Sequence, residues 1–180
     1  MTVILHQDSQ PSKKDEELDA MTIRPFTPDD APALWRILEP VIRAGETYTL
    51  PRDMSCNEAI AYWTAPEKAV FVAESTGRLL GTYILRANHP GGGSHVANCG
   101  YMTAADAIGR GVARAMCAHS LDEARSRGFR AMQFNFVVST NHRAVRLWQA
   151  MGFAIAGRLP DAFQHPTLGD VDAYVMFQTL

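Results

Sequence analysis

The stretch Asn98-Cys99-Gly100-Tyr101-Met102-Thr103-Ala104-Ala105-Asp106-Ala107-Ile108-Gly109-Arg110-Gly111-Val112-Ala113 decides how the whole chain is read. Its first six residues suit a short strand, the next few an Ala-rich link, and Gly109-Arg110-Gly111 a turn that opens a helix. A glycine-rich turn aims several backbone N–H groups at one point, which a Cβ would obstruct. The helix behind it adds the positive end of its dipole, so the junction suits a phosphate or pyrophosphate.

Downstream, Val112, Met116 and Ser120 with Ala113, Cys117, Leu121 and Ala124 form one face of that helix. Arg125 and Arg127 complement its C-terminal dipole, and Gly128 stops it. Residues 131–138 read as a buried strand interrupted by Asn135. Ser139-Thr140-Asn141 caps a further helix on which Ala144, Leu147, Trp148 and Met151 recur, with Gly152 and Phe153 as its stop. A sixth strand over 153–158, a long loop over 160–169 and an alternating strand over 171–178 complete the chain.

Upstream, the runs 69–74 and 79–85 read as a hairpin across Ser75-Thr76-Gly77-Arg78. A glycine-rich loop follows. Its His89 and His95 lie six apart with no Cys or acid nearby, so no metal is expected. Residues 21–26 fit a first strand, and Thr27-Pro28-Asp29-Asp30 starts a helix that Pro40 is expected to kink or end. Ser55-Cys56-Asn57-Glu58 is a capping box for a short helix ending near Pro66. The loop between these helices carries Glu46, Thr47 and Tyr48 and is a candidate substrate wall. The order is β, two helices, three strands, helix, strand, helix, two strands: a mixed α/β single domain over 21–180. Residues 1–20 read as a polar N-terminal extension, with an extra strand at 2–6 as an option.

The 180 residues suffice for one domain with a real core, and 47% hydrophobic with 20% charged residues is a soluble, globular composition. A formal charge of −2 argues against a nucleic-acid partner. No apolar run approaches the roughly 18 residues of a membrane helix. Three scattered cysteines, Cys56, Cys99 and Cys117, fit a reducing cytoplasm better than a disulfide framework. The apolar run at Val3-Ile4-Leu5 is too short for a secretory signal.

Two nucleotide-binding patterns fail. The third glycine of a Rossmann turn is Arg114 here, and no Gly-Lys-Ser/Thr occurs. Instead, Gly109-Arg110-Gly111-Val112-Ala113 with its preceding strand resembles the acetyl-CoA motif of the GCN5-related N-acetyltransferases, written Gln/Arg-x-x-Gly-x-Gly/Ala. Asn141-His142-Arg143-Ala144-Val145-Arg146-Leu147-Trp148-Gln149-Ala150-Met151-Gly152-Phe153 resembles that family's second signature, Asn-x-x-Ala-x-x-Leu-Tyr-x-x-x-Gly-Phe. The two motifs have the family's usual separation, and the element order matches from residue 21 to 180. The C-terminal half is also similar to fungal acetyltransferases that detoxify proline analogues such as azetidine-2-carboxylate. That similarity runs through Phe134-Asn135-Phe136-Val137, Gly157-Arg158-Leu159-Pro160 and Asp172-Ala173-Tyr174-Val175.

The resemblance implies a mostly antiparallel mixed sheet of six to seven strands with a splayed central pair and about four helices. It implies acetyl-CoA as cosubstrate, no metal, and direct transfer to a small-molecule amine, an amino or imino acid. Ile108, Gly109, Arg110, Gly111, Val112 and Ala113 would bind pyrophosphate. Tyr101, Met102 and Thr103 would receive pantetheine like an added strand. Asn141 either caps its helix or touches CoA. Glu46 and Tyr48 would border the acceptor. A homodimer through the last strands is a further family trait.

Three departures stand out. Ile108 replaces Arg or Gln, and Ala105 replaces a frequent Pro. Trp148 replaces the tyrosine thought to protonate the departing thiolate, and an indole N–H is no useful acid. The fourth strand offers Asn98, Cys99 and Tyr101 where relatives carry Glu. Asn98 and Asn135 fall on the strands expected to splay. Their amides can orient a substrate and support an oxyanion, or can merely satisfy backbone. Two other readings stay open: an enzyme acting on peptides or proteins, and a module that senses acetyl-CoA without turnover.

Overall fold

The structure is a computed structural model that describes residues 21–180. The expected strand at 2–6 lies outside the described residues. Eleven main elements follow in order. They are β1 (Thr22–Pro25), α1 (Ala31–Ala44), α2 (Cys56–Trp63), β2 (Ala69–Ser75), β3 (Arg78–Ala87), β4 (Val96–Thr103), α3 (Val112–Ser126), β5 (Ala131–Val138), α4 (His142–Ala150), β6 (Ala154–His165) and β7 (Gly169–Thr179). The strands form one seven-stranded sheet in the order β1-β2-β3-β4-β5-β7-β6. All neighbours pair antiparallel except β4 and β5.

Strand alternation sends successive side chains to opposite faces, and each face has its own helices. Leu34, Ile37, Leu38 and Ile42 of α1 and Ala59 and Trp63 of α2 pack on Val72, Ile84 and Met102. Met116, Cys117, Leu121 and Ala124 of α3 and Trp148 of α4 pack on Phe71, Tyr83, Leu85, Cys99 and Phe134. The Trp63 indole N–H donates to Thr82 Oγ1 at 3.0 Å, and that hydroxyl donates to the Phe71 carbonyl at 2.9 Å. This buried chain seats α2 on the sheet and so fixes the α1–α2 loop.

Two prolines lie inside regular elements. Helix α1 runs through Pro40 and stops at Gly45, whose φ of 65° forms an αL cap. Pro40 removes one backbone bond, and the apolar face packed on the sheet outweighs that loss. Residues 160–165, expected as loop, belong to β6. β6 is an edge strand, so Pro160 needs no partner for a missing N–H. The surplus residues between Leu159 and Phe163 are absorbed in a bulge containing Asp161 at φ 50°.

The parallel contact between β4 and β5 is only two pairs long, Val96↔Ala131 and Ala97↔Met132. Beyond it the strands separate, and the sheet opens into a cleft. β5 is paired to β7 on its other edge, with a bulge: β7 advances from Met176 to Tyr174 while β5 advances from Phe134 to Val137. Asn135 and Phe136 are the bulged residues, at the place where β5 leaves β4.

Candidate active site

The cleft opens into a cavity of about 850 Å³. One end lies over the glycine turn. Gly109 and Gly111 have φ of 83° and 80°, the left-handed region that glycine adopts without strain. The first bond of α3 runs from Ala115 N to the Gly111 carbonyl. The N–H groups of Val112, Ala113 and Arg114 are therefore first-turn donors without an intrahelical acceptor. Ile108, Gly109, Gly111, Val112 and Ala113 line the cavity, as does Arg114; Arg110 does not. The Arg114 guanidinium reaches Met151 Sδ at 3.5 Å.

The middle of the cavity is the open edge of β4. Antiparallel pairs alternate in bonding, and the bonds Asn88 N to Val96 O and Ala104 N to Leu80 O set the phase. Asn98, Gly100 and Met102 turn their main-chain groups to β3. Cys99, Tyr101 and Thr103 turn theirs into the cleft. An added strand would therefore meet Tyr101 and Thr103, whereas the Met102 backbone is spent on β3. The Tyr48 hydroxyl donates to the Tyr101 carbonyl at 2.9 Å. Burial pushes the Tyr48 phenol well above its ordinary pKa, so it stays protonated as that donor.

The far end is an amide cluster on the α1–α2 face. Asn98 Nδ2 donates to the Gln133 carbonyl at 2.9 Å, bridging β4 and β5 just past their last backbone pair. Gln133 Nε2 donates to Asn135 Oδ1 at 2.8 Å, and Asn135 Nδ2 donates to Asn88 Oδ1 at 2.7 Å. Glu46, Tyr48, Tyr62, Arg86, Asn98, Asn135 and Phe136 line this region among others. Glu46 is exposed, and it is the one carboxylate among the described cavity-lining residues.

On the opposite wall, Asn141 caps α4, its Oδ1 accepting from Ala144 N at 3.2 Å, and also lines the cavity. Trp148 is 8% exposed, with ring centroids 4.9 Å from Tyr101 and 5.2 Å from Phe134. It is thus both core and wall. The Cys99 side chain is buried in the α3 core, where desolvation pushes its thiol up to about 12 despite hydrogen bonds with Tyr101 and Ser120. Among the described residues no group of three or more His, Cys, Asp or Glu side chains could hold a metal, and no helix is long and apolar enough to cross a membrane.

Four site residues were missed in the sequence. Arg86 sits near the end of β3, Asn88 just past that end, Gln133 within β5 and Tyr62 on α2. The available signal was Arg86, a cation closing the apolar run Leu79-Leu80-Gly81-Thr82-Tyr83-Ile84-Leu85.

A sheet split between a parallel pair, with a glycine turn at one end of the split, is the architecture of acyl-CoA-dependent acetyltransferases. The chain belongs to the acetyltransferase (GNAT) family, whose model matches residues 33–153. It is 30% identical to N-acetyltransferase aca1 of Schizosaccharomyces pombe, over 74% of this chain and 72% of that relative. A solved GCN5-related N-acetyltransferase from Kribbella flavida is 41% identical, with a TM-score of 0.86, covering 91% of this chain and 99% of its own. The putative acetyltransferase yncA from Salmonella typhimurium, solved with its cofactor acetyl-CoA, shares the fold with a TM-score of 0.78 at 22% identity. That match covers 89% of this chain and 94% of its own.

Proposed function

We propose that the protein transfers the acetyl group of acetyl-CoA directly to the amine of a small amino or imino acid. The observation that carries this reading is the cleft itself. Cleft-facing main-chain groups of Tyr101 and Thr103, the Tyr101 carbonyl already accepting from Tyr48, lead from the first turn of α3 to the amide cluster of Asn98 and Asn135. Acetyl-CoA fits that path. Pyrophosphate would meet the amides of residues 108–113, and pantetheine the open edge of β4. When bound, it supplies the thioester carbonyl that the amine attacks.

The chain's own groups then have distinct tasks. A cleft-facing N–H of β4 is a fixed donor for charge that develops on a carbonyl oxygen. Asn98 and Asn135 hold the acceptor beside the open edge. Glu46 offers the negative charge that steers an ammonium group in and receives its proton, directly or through water. Cys99 takes no part as a nucleophile, because a thiol with a pKa near 12 is protonated at neutral pH. Trp148 shapes the wall and leaves thiolate protonation to solvent.

Thiol release from acetyl-CoA, measured over a panel of amines, tests the reading. Turnover with free amino or imino acids, proline analogues included, is the expected result. Turnover with peptides alone would make it a protein-directed enzyme. CoA binding without release for any amine would make it a sensor.

A further inference from the structure

We propose that Arg86 is the residue that receives the carboxylate of the acceptor. The inference rests on the amino-acid reading above and adds the group that enforces it. Arg86 is opposite Asn98 in the β3–β4 ladder, so its side chain leaves the same face of the sheet as the amide cluster. It lines the cavity together with Asn98, Asn135 and Tyr62.

The guanidinium is unpaired. Its Nε is buried and has no hydrogen-bond partner, and no ion pair involves it among the described residues. A half-buried cation in that condition is costly unless an anion completes it. Glu67 stands beside Lys68 and Glu46 lines the same cavity, but among the described residues neither forms an ion pair with Arg86. Lys68 is a charged neighbour of like sign; its amine is pushed below its ordinary pKa chiefly by burial, with Glu67 opposing and Arg86 contributing. The Lys68 ammonium sits 3.7 Å from the centroid of the Tyr62 ring, which borders the cavity.

The amides are partly spent within their own cluster. Asn98 has committed a donor to Gln133, and Asn135 has committed one to Asn88 and its oxygen to Gln133. Arg86 retains a planar fork of donors suited to two carboxylate oxygens. With Arg86 on the sheet and Glu46 on the α1–α2 loop, the cavity end carries one charge of each sign, as an amino-acid zwitterion requires.

The test compares L-azetidine-2-carboxylate with its carboxamide, two acceptors with the same ring amine. Arg86→Gln is expected to lower kcat/KM for the carboxylate about 10- to 100-fold, through KM, and for the carboxamide less than about threefold. The KM for acetyl-CoA should not move. Arg86→Lys should recover part of the loss. The melting temperature of Arg86→Gln should equal or exceed that of the wild type, because an unpaired buried charge has been removed. Equal loss on both acceptors, no loss on either, or a lower melting temperature accompanied by equal losses overturns the proposal.

Calorimetric binding of N-acetyl-L-azetidine-2-carboxylate to the CoA-loaded protein needs no turnover. If the wild type acetylates neither acceptor, the amino-acid reading fails, and this binding still decides Arg86. Carboxylate-dependent binding that Arg86→Gln abolishes supports the assignment. Its absence in the wild type, or its survival in the variant, refutes it.

Discussion

Replacing Asn98 with alanine separates two tasks of one amide. The side chain bridges β4 and β5 through a 2.9 Å bond to the Gln133 carbonyl, just beyond the last backbone pair. A bond of this kind contributes about 0.5–1.5 kcal/mol net, and a half-buried carbonyl left without its donor adds to the loss. The expected cost is about 1–2 kcal/mol, or a fall of about 2–8 °C in melting temperature for a chain of this size. That cost belongs to the brace alone. Asn98 Oδ1 and the second N–H remain for the acceptor, so kcat/KM for the amine should fall about 10- to 100-fold at 25 °C, well below the melting point. The KM for acetyl-CoA should stay within about threefold. Thiol-release kinetics and calorimetric melting on the same preparation measure both terms. A lower melting temperature with unchanged kcat/KM would refute the catalytic assignment and leave Asn98 as a brace. Asn98→Asp sharpens the contrast. It keeps the shape but removes both donors and sets a carboxylate against the Gln133 carbonyl, so it should melt below the alanine variant.

Three further outcomes follow from particular residues. Gly109→Ala meets open space, so its cost is the backbone strain at φ 83°, about 1–2 kcal/mol, and distortion of the pyrophosphate turn should raise the acetyl-CoA KM about tenfold with the acceptor KM unchanged. Trp148→Phe keeps a ring against Tyr101 and Phe134 but removes the indole N–H; kcat should stay within about threefold, and a tenfold loss at constant KM would make that N–H a donor to the departing thiolate. Arg24 hydrogen bonds, partly offset by burial, lower the Asp30 carboxyl to about 2. A lowered acid stabilises the fold above its ordinary pKa and ceases to as pH falls toward 2. Asp30→Asn should therefore cost about 1–2 kcal/mol at pH 7, and the gap between urea melts of variant and wild type should narrow below about pH 4 and close only as pH approaches 2.

The parts of the fold legible in the sequence were those with local chemistry. Gly109 and Gly111 announced their turn because only glycine holds that φ. Ser55 and Glu58 announced α2 because the cap is reciprocal, with Ser55 N donating to Glu58 at 2.8 Å and Glu58 N to the Ser55 hydroxyl at 3.3 Å. The order of elements along the chain and the splayed central pair were legible through the family resemblance. Pro160 misled because a local propensity was weighed without its partner: it lies on an edge strand, where its missing N–H needs none. The unzipping of β4 from β5 has no signature within either strand alone. It depends on a bulge that β7 imposes at Asn135 and on an Asn98 bridge across 35 positions of sequence. Arg86 was passed over for a related reason. A strand read as ending at Leu85 hid the residue, and a missing partner is a property of the folded surroundings.

The two-pair junction between β4 and β5 also predicts an unusual pattern of amide hydrogen exchange. Along a single strand, the amides of Asn98, Gly100 and Met102 are locked by β3, while those of Tyr101 and Thr103 face an open edge. Protection should therefore alternate residue by residue, slow then fast, within one element of the core. A ligand that docks as an extra strand would slow the fast set and leave the slow set unchanged, so the strand reports occupancy of its own edge.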